Sequence, residues 1–257
     1  MNYNKSAINI LGVNISLNNK KLVLEKIINF LNSDKQHFIV TPNPEIILYA
    51  RNNSEYKNIL NKADLGVADG FGVKLAGLTF KKNIPRITGA DLLIDILKIA
   101  ENNNHKVLIL NWKKSLSSCK KIENTIIKKF PKLIFKIIES DRGAGVGMAN
   151  KINDFSPRIA LITLGAPYQE EFIYNNLKSF PSVKLAIGIG GAFDFFTGHI
   201  KRAPKLIRYL GLEWLFRIFQ EKGKRKLWRL KRIYHAVIVF SFKFIKWRIF
   251  TKHEKTI

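Results

Sequence analysis

The sequence predicts an α/β fold: a Rossmann-like parallel sheet with helices on both faces, followed by a basic, amphipathic helical C-terminal appendage. Three observations carry this reading. Over the first 200 residues, short β-branched runs alternate with longer segments of helical periodicity, as in successive βαβ units. The candidate strands are almost continuously apolar, as strands covered on both faces are. The last quarter then changes character: of 44 Lys and Arg and 19 Asp and Glu, 17 basic and only 3 acidic residues fall from position 199 onward. The 257 residues therefore divide into a Rossmann-like domain, 1–205, and an appendage, 206–257.

In chain order, the strands are expected at 37–41 (HFIVT), 106–110 (KVLIL), 133–138 (LIFKII), 158–164 (RIALITL) and 184–189 (KLAIGI). Between them, a helix over 91–101 places Leu92, Leu93, Ile96, Leu97 and Ala100 on one stripe. Further helices are expected over 115–129 and 169–178. In the appendage, 212–219 has helical periodicity and 222–232 (KGKRKLWRLKR) is dense in positive charge. Wound as a helix, that stretch puts Arg225, Arg229 and Arg232 on one face. Leu227, Leu230, Tyr234, Val237 and Ile238 fall on another. The following segment, 236–250 (AVIVFSFKFIKWRIF), is interrupted by Lys243, Lys246 and Arg248. Its uncharged part is too short to cross a bilayer. Such a basic, aromatic-rich segment suits the membrane interface, with its cations near lipid phosphates. The alternative is a surface helix that packs on the domain or on an oligomer partner.

Composition limits the function. With 46% hydrophobic and 25% charged residues, the chain can bury a core and is not a disordered tail protein. Cys119, the single cysteine, cannot form an internal disulfide and fits a reducing cytosol. No basic segment followed by an apolar run opens the chain, so a secretory signal is not expected. The net charge of +25 calls for a polyanionic partner: nucleic acid, an anionic membrane surface or phosphorylated substrates. There is no helix-turn-helix, zinc-finger or RNA-recognition motif, and the tail mixes aromatics with aliphatics. Nucleic acid is therefore the weaker alternative. The expected location is cytoplasmic, peripheral on the inner face of the cell membrane.

Open parallel sheets bind ligands beyond the carboxyl ends of their strands, and four segments here fall at such ends. In Thr41-Pro42-Asn43-Pro44-Glu45, Thr41 and Asn43 can face a ligand, or Asn43 can simply cap the next helix. In 64–73 (DLGVADGFGV), Asp69 has little bulk around it and is a candidate general base; a plain turn aspartate is the alternative. In 164–171 (LGAPYQEE), helix amides and Gln169 can meet a phosphate, or Pro167 and Glu170 can serve only as a helix start. In 187–204 (IGIGGAFDFFTGHIKRAP), Gly190 and Gly191 allow close backbone approach and Asp194 follows; packing is the alternative use of such glycines. There is no phosphate loop, no zinc-ligand spacing, and no Asp-x-Asp element of the kind that holds a metal on a sugar nucleotide. The charge of a diphosphate leaving group must then be met by arginine and helix amides, and Arg86 is one candidate.

Taken in order, TPNPE (41–45), ADG (68–70), PRITGADL (85–92), LGAPYQEEF (164–172), GGAFDFFTG (190–198), KRAP (201–204) and GLEWLFRIFQE (211–221) resemble the WecG/TagA/CpsF family of bacterial glycosyltransferases, over roughly 8–232. The resemblance implies an inverting transferase moving N-acetylmannosamine, or its uronic acid, from UDP to undecaprenyl-diphosphate-linked N-acetylglucosamine in cell-surface polysaccharide synthesis. No metal cofactor is expected. Thr41, Asn43, Asp69, Arg86, Gln169 and Asp194 match the family's site, and Arg217, Arg225 and Arg229 its tail cations. The chain departs from many relatives at Lys222-Gly223, where they have proline. The alternatives are a transferase of the same fold with another sugar or acceptor, as in capsule or lipopolysaccharide assembly, and a non-catalytic membrane scaffold. Homo-oligomerisation is left open by the sequence.

Overall fold

The computed structural model of the chain describes residues 7–143, 146–209, 211–220 and 223–253. An N-terminal antiparallel hairpin, β1 (Ala7–Ile10) and β2 (Val13–Ser16), precedes helix α1 (Lys20–Asn32). There follow β3 (His37–Val40), α2 (Pro44–Asn52), α3 (Ser54–Asn61), β4 (Leu65–Gly66), α4 (Phe71–Leu78) and α5 (Gly89–Asn102). The next units are β5 (Val107–Trp112), α6 (Cys119–Lys129), β6 (Phe135–Ser140), α7 (Ala149–Phe155), β7 (Ile159–Ile162), α8 (Tyr168–Asn176), β8 (Leu185–Gly188) and α9 (Ala192–Phe196). The appendage adds α10 (Lys205–Tyr209), α11 (Glu213–Gln220), α12 (Gly223–Tyr234) and α13 (Phe240–His253), the last two joined by a π-helical turn, His235–Val239.

Six strands form one parallel sheet in the order β4-β3-β8-β7-β5-β6. Strand alternation splits the core in two. Phe38, Val40, Leu108, Leu110, Ala160, Ile162 and Ala186 face α2, α3 and α8. Ile39, Val107, Ile109, Ile159, Leu161, Leu185 and Ile187 face α1, α5, α6 and α9. The period of two that defines a strand thus supplies both buried faces, and the Rossmann-like expectation holds.

The differences are local. The helix expected from 115 starts at Cys119, capped by Ser118, whose Oγ accepts from Lys121 N at 3.3 Å. Residues 115–117 are drawn away by Asn111, whose Nδ2 donates to Ser115 Oγ (3.0 Å) and Ser117 O (3.1 Å). The strand expected from 133 starts at Phe135, because Leu133 N still closes the preceding turn onto Phe130 O at 3.1 Å.

The appendage is also part of the core. Phe240 and Phe244 are buried in the same cluster as Ile47, Val73, Ala76 and Ile84. At Gly211, with φ +76°, a β-carbon would fall 2.2 Å from the Phe71 ring, so only glycine lets this part of the chain close on α4. Arg232 Nε donates to Glu45 Oε1 at 2.8 Å, tying α12 to the first turn of α2. The opposite side of the appendage is uncovered: Leu227, Leu230, Tyr234, Ile238, Phe242 and Ile245 are all exposed.

Candidate active site

The segments singled out by sequence gather at the carboxyl edge of the sheet. Thr41 leaves β3 buried, its Oγ1 donating to Gly188 O at 3.2 Å, so the exits of β3 and β8 are fastened together. Asn43 caps α2, its Oδ1 accepting from Ile46 N at 3.0 Å, with Pro44 at the first helical position. That is the capping role the sequence allowed. It occupies the side-chain oxygen and leaves the NH2 group without a partner among the described residues.

Asp69 lies beside this turn. Its amide donates to Pro42 O at 2.9 Å. Gly70 follows with φ +140°, and a β-carbon there would sit 2.9 Å from Pro44 Cδ, so the Ala68-Asp69-Gly70 turn is pressed against Pro42–Pro44. Asp69 is half-buried as a residue, with its carboxyl recessed; Gly89 N lies 3.5 Å from Oδ2. Burial raises its pKa above the ordinary carboxylate range. Arg86 and the Gly89 amide work the other way, while Glu213 and Asp91 add to the rise.

The charges around Asp69 form one network. Arg86 Nη2 donates to Glu213 Oε2 at 2.8 Å. Arg202 bridges Glu213 Oε1 (3.1 Å) and Asp91 Oδ1 (3.2 Å). Its Nε approach to Glu213 is an ion pair without hydrogen-bond geometry. Thr88 Oγ1 donates to Asp91 Oδ2 at 2.7 Å. Burial alone pushes Asp91 upward, but Thr88, Arg202 and Arg86 outweigh it and hold the carboxyl below its usual value. Three carboxylates thus share two guanidiniums, and Asp69 is the one left least compensated. Arg86 Nε is buried and makes no hydrogen bond. Glu213, brought from α11, was not singled out by the sequence reading; it stood there only inside the GLEW motif.

Gln169 is buried between the turns that leave β7 and β8. Its Oε1 accepts from Gly165 N (3.2 Å) and Gly190 N (2.9 Å), and its Nε2 donates to Glu170 Oε1 at 2.8 Å. Its side chain thus joins the turns after β7 and β8. Gly191 is exposed beyond them. Asp194, in α9, accepts from Ser117 Oγ at 2.9 Å, and Ser117 also lies 2.8 Å from Thr197 Oγ1. Further along the edge, Arg142 stacks on Trp112 (3.8 Å to the ring centroid) and faces Tyr168 (4.8 Å), its Nε donating to Leu164 O at 2.9 Å. From β4 to β7 there are three strand intervals, about 14 Å at ~4.8 Å each, a span suited to an extended nucleotide sugar. An open groove of about 640 Å³ between α6 and α9 includes Lys120, Lys121, Lys128 and Lys129 and is lined by none of the expected site residues. The side chains of Arg217, Arg225 and Arg229 lie outside the described residues.

The whole arrangement spans the chain from Thr41 to Glu213, and so does its family match: the model of the glycosyl transferase WecG/TagA/CpsF family covers residues 8–254. The chain belongs to the WecG/TagA/CpsF family. It is a glycosyltransferase. Among its relatives is a protein of Staphylococcus aureus (strain MRSA252) named N-acetylglucosaminyldiphosphoundecaprenol N-acetyl-beta-D-mannosaminyltransferase, 31% identical over 95% of this chain and 94% of its own length. Proteins of the same name from strains MW2 and NCTC 8325 / PS 47 match with the same identity and coverage. Within this WecG/TagA/CpsF transferase, the Arg86–Glu213 ion pair joins the sheet edge beside Asp69 to the appendage.

Proposed function

We propose that this transferase moves N-acetylmannosamine from a UDP donor to undecaprenyl-diphosphate-linked N-acetylglucosamine, inverting the anomeric carbon, at an anionic membrane surface. The observation that carries the reading is the Asp69 turn: a recessed carboxylate with raised pKa, one shared network away from the guanidinium of Arg86. The sugar and the acceptor are taken from the names of the relatives.

In this mechanism the acceptor hydroxyl oxygen forms its bond to the anomeric carbon while Asp69, ionised, takes the hydroxyl proton. The bond from that carbon to the diphosphate oxygen breaks, and its electron pair leaves with UDP. Arg86 offsets the charge that grows on the leaving oxygen. Glu213 holds Arg86 from the appendage side, so little reorganisation accompanies the charge transfer. The Asn43 amide donors and Thr41 orient the sugar, and the glycine turns beside Gln169 carry the diphosphate. Asp194, steadied by the buried Ser117 hydroxyl, receives the nucleoside. Metal independence belongs to the same proposal, with Arg86 as the cation beside the Asp69 turn.

The membrane part of the reading is supported by the appendage. No helix among the described residues is long and apolar enough to cross a membrane. Yet α12, the π-helical turn and α13 bury Phe240 and Phe244 inward and expose Leu227, Tyr234, Ile238, Phe242 and Ile245 outward, among lysines and arginines. An interfacial helix has this division.

The test is UDP release by the purified chain from UDP-N-acetylmannosamine with a short-chain lipid-diphosphate N-acetylglucosamine, in the presence of chelator. Turnover supports donor, acceptor and metal independence together. Turnover only with the uronic-acid donor moves the sugar assignment. Silence until a divalent cation is added overturns metal independence, and silence throughout overturns the substrate reading.

A further inference from the structure

Glu170 is fully buried, yet the reaction above makes no use of it. A carboxyl group removed from water at such cost needs partners, and Glu170 has two from different directions. Gln169 Nε2 donates to Oε1 at 2.8 Å, and the Tyr56 hydroxyl on α3 donates to Oε2 at 3.0 Å. Tyr56 is itself buried. With Nε2 committed to Glu170, the Gln169 amide has one orientation left: Oε1 turns to the sheet edge and accepts from Gly165 N and Gly190 N. The flipped amide would set its NH2 group against two N–H donors. Those donors belong to the turns that leave adjacent strands β7 and β8, with φ +75° at Gly165 and +48° at Gly190.

We infer that Glu170, steadied by Tyr56, is a positioning residue that fixes the Gln169 amide and, through it, the spacing of the two glycine turns that receive the donor's diphosphate. The inference deepens the proposed function and rests on it for the identity of the ligand. The hold survives a change of protonation. Burial lifts the Glu170 pKa to about 7, but a protonated carboxyl can still accept from Gln169 through Oε1 while its proton goes to the Tyr56 oxygen. An acceptor facing Gln169 is what the arrangement demands, not a charge.

That requirement separates two substitutions. Glu170→Leu removes the acceptor. Glu170→Gln retains one toward Gln169 and can donate to Tyr56. Hydrogen exchange in the absence of ligand, read on peptides covering 163–168 and 188–193, should quicken in Glu170→Leu and stay near wild type in Glu170→Gln. In steady-state assays Glu170→Leu should raise the KM for the UDP-sugar about tenfold with kcat within about threefold, and Glu170→Gln should restore it. If Glu170→Leu does not fold, Tyr56→Phe, which removes one hydroxyl, should quicken exchange in the same two turns to a smaller degree. Unchanged exchange in both turns overturns the inference, as does a Glu170→Gln variant as impaired as Glu170→Leu. A wild-type chain that binds no UDP would sink the substrate reading, while the exchange data still judge the link from Glu170 to the turns.

Discussion

At the residue scale the account rests on how few compensating charges Asp69 has. Its pKa is raised chiefly by burial, with Glu213 and Asp91 adding to the rise. A base works only when deprotonated, so kcat/KM should fall as pH drops through this raised value. Removing one like charge lowers it: Glu213→Gln should shift the acid limb of the pH–rate profile to lower pH, and an unmoved limb would show that another group sets it. The stability sign runs opposite to the catalytic one. A carboxyl raised on folding contributes stability that is present below its unfolded pKa and lost as pH rises through the folded one. At neutral pH Asp69→Asn should therefore raise the melting temperature while lowering activity; a drop in melting temperature would mean that the charge is compensated after all. Some of this was legible in the sequence. Thr41, Asn43 and Asp69 lie in strand-end turns with small or cyclic neighbours, which mark an edge loop whatever its use. The Arg86–Glu213 pair was not legible, because its partners stand 127 residues apart and no local pattern joins them. Glu170 was hidden for a different reason: a glutamate in the first turn of a helix is ordinarily a favourable dipole partner, and only burial shows otherwise.

At the scale of elements, the central strands were legible because β-branched runs buried on both faces leave a dense apolar signal. The short edge strand β4, two residues long, and the β1–β2 hairpin lack that density and were passed over. The appendage was read correctly as helical, with packing on the domain left open as the alternative to lipid. Phe240 and Phe244 belong to the core beneath α2 and α4, and sequence periodicity alone could not choose between lipid and protein for either face. The two faces now separate by mutation. Phe240→Ala should cost about 3–5 kcal/mol of stability, as for a buried aromatic, measured by denaturant unfolding. Phe242→Ala, at an exposed site, should change stability by less than about 0.5 kcal/mol yet weaken binding to anionic vesicles. Equal destabilisation by both would contradict the division of faces. Deleting the appendage is a poorer test, since it uncovers these core aromatics and removes Glu213 as well.

At the scale of the whole molecule, the proposed chemistry and the proposed membrane attachment share one body. In the proposed reading the charge of +25 draws the chain toward an anionic surface, and the Debye length shortens from ~10 Å at 0.1 M salt to ~3 Å at 1 M. Sedimentation with anionic vesicles should therefore fall steeply with added salt, leaving a salt-resistant remainder from the apolar stripe; equal binding to neutral vesicles at all salt concentrations would assign the attachment to apolar contact alone. Glu213 and Arg232 tie the appendage to the sheet edge, one through Arg86 and the other through Glu45. The most direct test of the account is kcat of Asp69→Asn at saturating donor and acceptor, with UDP affinity measured on the same preparation. The account predicts a loss of about 10²-fold or more with UDP affinity retained. Turnover within a few-fold of wild type would contradict Asp69 as the base that takes the acceptor's proton.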